Sequence, residues 1–89
     1  MVIKDIVVQN EVGLHARPAP FFIQTANECK SSIWDVKDER KVNAKSLLGV
    51  LSLGITRGTE VSLVADGNDE EEALASLIEL ISSDFADIQ

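Results

Sequence analysis

Eighty-nine residues are enough for one domain with a single modest core, and an apolar fraction of 45% is that of an ordinary folded chain. One cysteine, Cys29, excludes an intramolecular disulfide and a cysteine-based zinc cluster, and a free thiol fits a reducing, cytoplasmic setting. The net charge of −7 is unevenly spread: all eight basic residues lie between Lys4 and Arg57, while the stretch after residue 57 is acidic throughout. Nucleic acid is therefore not an expected partner, because its affinity comes largely from basic residues neutralising phosphates. Nor is membrane insertion, since no apolar run approaches ~20 residues and the N-terminus lacks the charged, apolar and small-residue regions of a signal peptide.

Taken in chain order, residues 2–8 alternate loosely, with Val2, Ile6 and Val8 offset from Lys4 and Asp5, and predict a first strand. A turn-rich loop follows through Gly13. Between residues 16 and 29, Ala19, Phe22, Ile23 and Ala26 recur at helical spacing and predict a first helix. Residues 32–38 hold Ile33, Trp34 and Val36 with Asp35 and Lys37 interleaved, a second strand. Asp38-Glu39 is a polar turn into a short third strand at residues 40–43. Lys45-Ser46 precedes a short apolar helix that ends near Gly54. Residues 60–65 give a fourth strand. Asp66-Gly67-Asn68-Asp69 leads into a last helix ending near residue 83, in which Ala73, Leu74, Leu77, Ile78 and Ile81 form the apolar stripe.

The order is β-α-β-β-α-β-α. Half-buried strands need one face covered, and three amphipathic helices can cover it. The expected class is α+β: an open-faced two-layer sandwich, a four-stranded antiparallel sheet with three helices on one face, with residues 1–89 as a single domain.

The chemistry concentrates on Gly13-Leu14-His15-Ala16-Arg17-Pro18, which holds the only histidine. A residue just before a helix sees unpaired N–H groups and the positive end of the dipole. That field keeps an imidazole neutral and nucleophilic near pH 7, and it stabilises an anion attached to it. Pro18 lacks an N–H where the helix needs none, Gly13 permits a tight turn and close approach, and Arg17 can hold phosphoryl oxygens. Spacing alone favours the plainer reading, a surface histidine at a helix start with Arg17 an exposed charge. No metal-ligand set accompanies it, and the pattern calls for no cofactor.

A second constellation is Lys45-Ser46-Leu47-Leu48-Gly49. Ser46 suits a helix N-cap, and its hydroxyl is also open to phosphorylation, which would act by adding charge to the surface. Leu47, Leu48 and Leu51 cannot all point inward from so short a helix, so one or two form an exposed docking patch. Among other residues, Glu70, Glu71 and Glu72 are expected to be a solvated first turn. Trp34 is expected to be half-buried, and Cys29 a small buried apolar residue. Arg17, Lys30, Lys37, Arg40, Lys41, Lys45 and Arg57 could form one positive face.

The residues 13–19, Gly-Leu-His-Ala-Arg-Pro-Ala, resemble the active-site signature of HPr, the phosphocarrier of the bacterial sugar phosphotransferase system. Residues 42–54, Val-Asn-Ala-Lys-Ser-Leu-Leu-Gly-Val-Leu-Ser-Leu-Gly, resemble its regulatory-serine segment. The resemblance implies a carrier rather than a self-contained enzyme. His15 would accept a phosphoryl group on Nδ1 from Enzyme I, assisted by Arg17, and pass it to enzyme IIA domains for sugar uptake. Ser46 would be a target of an HPr kinase/phosphorylase, and its phosphorylated form a surface for a catabolite-control regulator. Leu47, Leu48 and Leu51 would dock partners, and the chain would work as a monomer. The alternative is a mainly regulatory protein acting through Ser46 or in a nitrogen-type branch. An acyl-carrier reading of Ser46 fails on the strands and on Lys45 in place of an aspartate.

Two departures accompany the resemblance. Leucines replace isoleucine and methionine in the docking segment. Pro20 stands where the family usually has a small or hydroxyl residue. In a helix starting at residue 16 its ring would remove a hydrogen bond and crowd the first turn, so a distorted turn or a later helix start is expected.

Overall fold

A computed structural model describes residues 1–8 and 18–82. The elements are β1 (Val2–Val7), α1 (Pro18–Glu28), β2 (Ser32–Lys37), β3 (Arg40–Asn43), α2 (Leu47–Ser52), β4 (Glu60–Asp66) and α3 (Glu70–Ser82). The strands form one antiparallel sheet in the order β1-β4-β2-β3, so the first and last strands of the chain pair with each other and β3 is left at an edge.

The alternation of β4 decides which face is covered. Val61, Leu63 and Ala65 are buried beneath the helices, and Ser62 between them faces the other side. There its hydroxyl donates to the carboxylate of Asp5, its partner across the ladder. The helices supply Phe22 and Ala26 from α1, Val50 from α2, and Leu74, Leu77 and Ile81 from α3 to the same core. Each large side chain fully buried this way contributes about 1.5–3 kcal/mol. The uncovered face carries Ile3, Val7 and Trp34, with Lys41 Nζ 4.5 Å above the Trp34 ring. The open-faced sandwich expected from the sequence is thus the observed architecture.

Boundaries differ slightly. β1 stops at Val7; Val8 instead bonds the turn before β4, its N–H donating to Thr59 and its carbonyl accepting from Gly58 at 2.7 Å. α2 is ended by Gly54, whose φ of +61° supplies the left-handed residue that terminates helices. In α1, Pro18 and Pro20 are the first and third residues. The first N–H groups of a helix have no intrahelical acceptor, so the described helix loses no bond at Pro20. The expectations for residues 16 and 17 and for residue 83 lie outside the described residues.

Three expectations are corrected. Asp35, interleaved with Trp34 and Val36, is not on the outer face of β2: it is fully buried on the core face, and among the described residues neither carboxyl oxygen has a hydrogen-bond partner. Glu70 is not simply solvated: its Oε2 lies 2.7 Å from the Met1 ammonium. Cys29 is only half-buried, with its thiol donating to the Thr25 carbonyl.

Candidate functional site

Gly13, His15 and Arg17 lie outside the described residues, and of Pro18 only the backbone is described. The structure nevertheless shows what holds the two flanks of that segment. On one side Val8 is buried and doubly bonded to the turn at residues 56–59. On the other, Ala19 and Phe22 sink the start of α1 into the core. The first turn of α1 contains no acidic residue, whereas that of α3 contains Glu70, Glu71 and Glu72. The positive end of the α1 dipole is therefore not neutralised by a carboxylate of its own first turn, the condition an anion there requires.

The second constellation is described in full. Asn43 starts the turn into α2: its side-chain oxygen accepts from Lys45 N at 2.8 Å, and its carbonyl from Ser46 N. Ser46 is the N-cap, extended at φ −106° and ψ 116°, and its hydroxyl accepts from Gly49 N at 3.2 Å. Lys45 ties this start to the end of α1, its Nζ donating to the Cys29 carbonyl at 2.8 Å while Asn27 Nδ2 donates to the Lys45 carbonyl.

The far end of α2 is held by the β2–β3 hairpin. Lys37 Nζ donates to the Leu53 carbonyl at 2.9 Å, and Arg40 donates to the Ser52 carbonyl at 2.7 Å and to its hydroxyl at 3.0 Å. Cations at a helix C-terminus also complement its dipole. This disposition corrects the expected single positive face. Lys37 and Arg40 serve the helix side of the sheet, whereas Lys41 lies on the opposite side over Trp34.

With both ends fixed, α2 divides its apolar residues as so short a helix must. Val50 is fully buried, Leu51 is intermediate, and Leu47 and Leu48 are 40% and 80% exposed. Phe21, at 38%, adds a further exposed apolar group near the start of α1. Phe21 is absent from the expected sites, although it sits off the stripe of Ala19, Phe22, Ile23 and Ala26, and that offset is the signal for an aromatic left outside the core. Among the described residues no cluster of histidine, cysteine and carboxylates is placed to hold a metal, and no helix is long and apolar enough to cross a membrane.

Exposed leucines beside a capped serine, on an open-faced sandwich, can be compared with known proteins. Residues 2–83 match the family model described as the PTS HPr component phosphorylation site. The chain belongs to the HPr family. It is 46% identical over 84 residues to the HPr-like protein Crh of Halalkalibacterium halodurans, covering 94% of this chain and 100% of that one. It is 40% identical over 87 residues to the phosphocarrier protein HPr of Neisseria meningitidis, covering 98% of each. Among solved structures, HPr-C-His from Thermoanaerobacter tengcongensis superposes with a TM-score of 0.94 at 51% identity over 97% of both chains. An HPr dimer from the same organism gives 0.77 at 54%, over 90% of this chain and 92% of that one.

Proposed function

We propose that this chain is a phosphocarrier of the sugar phosphotransferase system. A neutral Nδ1 of His15 attacks the phosphoryl group presented by Enzyme I; the N–P bond forms as the donor's bond to phosphorus breaks. Arg17 binds the phosphoryl oxygens, and transfer to an enzyme IIA domain for sugar uptake regenerates the imidazole. Leu47, Leu48 and Leu51 dock both partners. The observation that carries this reading is the family match over residues 2–83, a family named for its phosphorylation site, in a chain whose one imidazole is His15.

Ser46 is proposed as a regulatory phosphorylation site for an HPr kinase/phosphorylase, with its phosphorylated form recognised by a catabolite-control regulator. Its place beside exposed Leu47 and Leu48 supports this, since charge added there lies on the docking surface. The 46% identity to an HPr-like Crh favours a second reading, in which regulation through Ser46 is the main task. That reading leaves His15 without a task. The transferring form is proposed to be a cytoplasmic monomer, with a dimer like that of the Thermoanaerobacter tengcongensis HPr as the competing state; light scattering at working concentration distinguishes them.

The test is incubation with Enzyme I and labelled phosphoenolpyruvate, or with a kinase and labelled ATP. Acid-labile label lost in His15→Ala supports the carrier. Acid-stable label lost in Ser46→Ala, with none on His15, supports the regulatory protein.

A further inference from the structure

The group the phosphocarrier reading does not use is Asp35. It lies on the interior β2 strand, directly opposite Val42 of β3 on one side and Leu63 of β4 on the other. It is 0% exposed, and among the described residues both carboxyl oxygens are without a hydrogen-bond partner. An ionised carboxylate in such a place meets a large desolvation penalty, whereas a neutral carboxyl meets a far smaller one.

The same patch of sheet is the seat of α2. A side chain built at Gly49 would bring its Cβ to 3.4 Å from Val42 Cβ, so the helix backbone lies close over the residue paired with Asp35. Lys37 and Arg40, which hold the last carbonyls of α2, share the core face of the hairpin with Asp35, one on the same strand and one on β3.

We infer that the β2–β3 hairpin and α2 form a proton-coupled unit, in which Asp35 is neutral while α2 is seated and its ionisation unseats the helix. Burial raises the Asp35 carboxyl to about 7, which places the transition near neutrality. The route is set by topology: β3 is an edge strand of four residues, paired among the described strands with β2 alone, so lifting β3 with α2 opens Asp35 to water without disturbing β1 and β4. An ionised Asp35 also attracts Lys37, the cation two residues along its own face, away from the Leu53 carbonyl.

Among the described residues the other charges do not compensate Asp35. Facing residues Val61, Leu63 and Ala65 of β4 are apolar, α2 carries no ionisable residue, and Lys4 on β1 lies two strands away and is exposed. Lys45 is engaged with Cys29, and Glu28 of α1 and Glu71, Glu72 and Glu79 of α3 are exposed. The proposal goes beyond the carrier reading and stands whether or not His15 is phosphorylated.

The test is carbonyl NMR of Asp35 with hydrogen exchange of β3, α2 and β4 amides, on the full chain between pH 5 and 8.5. In the wild type, Asp35 should titrate near neutrality. As pH rises toward the transition, protection of β3 and α2 amides, corrected for intrinsic exchange, should fall by up to about tenfold per pH unit, while β4 holds. In Asp35→Asn and Asp35→Leu that pH dependence should vanish. An Asp35 titration at an ordinary aspartate value overturns the proposal without recourse to any variant. So does parallel loss of protection in β4, or an unchanged pH slope in Asp35→Leu.

Discussion

The Ser46 hydroxyl accepts the backbone N–H of Gly49, three residues on, at 3.2 Å. One oxygen atom therefore caps α2 and is also the atom on which regulatory phosphorylation would fall. Replacing it should separate the two roles. Ser46→Ala should lower unfolding free energy by about 1 kcal/mol in urea titrations. Ser46→Asp, which keeps an acceptor at the cap, should stay close to wild type in stability while slowing phosphoryl transfer at His15.

Leu48 and Val50 are two residues apart on α2 with opposite environments. Val50→Ala opens a space in the core and should destabilise by roughly 1–3 kcal/mol. Leu48→Glu should change stability by no more than ~0.5 kcal/mol, yet raise the KM for phosphoryl transfer from Enzyme I by roughly tenfold if this face docks partners. An unchanged KM would remove Leu48 from the docking surface.

Much of this surface was readable before any coordinates. Six apolar or small residues after Ser46 cannot all face inward, and Ser46 precedes them at the cap position, so the capped helix and its exposed leucines follow from spacing. The strict alternation of Val61 and Leu63 with Glu60 and Ser62 likewise identifies β4 and its core face. Asp35 was hidden by the same logic. Trp34 and Val36 are large apolar residues on the uncovered face, so the apolar pattern of β2 pointed to the wrong side, and only the register with Leu63 and Val42 reveals the parity. The ion pair of Met1 with Glu70 joins residues far apart in sequence and depends on β1 pairing with β4, which local pattern does not encode. The cations of residues 30–45 were close in sequence, but strand alternation divides them between two faces.

Asp69 joins the start of α3 to the loop after α1. Its carboxylate accepts from Lys30 N at 2.9 Å, from Ser31 N at 2.8 Å and from the Ser31 hydroxyl. These bonds hold it down at about 2, the Ser31 hydroxyl contributing most. Gly67 closes the same junction: at φ +156° an added Cβ would meet Ser31 Oγ at 2.5 Å and Ser31 Cα at 2.7 Å. Gly67→Ala should therefore lower the thermal midpoint by more than the few degrees of a surface substitution. Asp69→Asn should destabilise at neutral pH and remove the acid sensitivity described next.

Asp69 and Asp35 give stability opposite pH dependences. The depressed Asp69 contributes stability above its unfolded value, and this is lost as pH falls toward about 2. The raised Asp35 binds its proton more tightly folded than unfolded. Its contribution is full below 3.8 and declines as pH rises to about 7, by up to ~4 kcal/mol. Urea midpoints measured from pH 2.5 to 8.5 should therefore pass through a maximum close to pH 4. Asp35→Asn should flatten the alkaline limb and Asp69→Asn the acid limb.

The central claim is that His15 carries a phosphoryl group. The most direct measurement is phosphorus NMR, with intact mass, of the chain incubated with phosphoenolpyruvate and a catalytic amount of Enzyme I. The account predicts one added phosphoryl group with an Nδ1-phosphohistidine signal, labile to acid, discharged by an enzyme IIA domain and absent in His15→Ala. No modification of the wild type by a cognate Enzyme I, or modification that persists in His15→Ala, would contradict it.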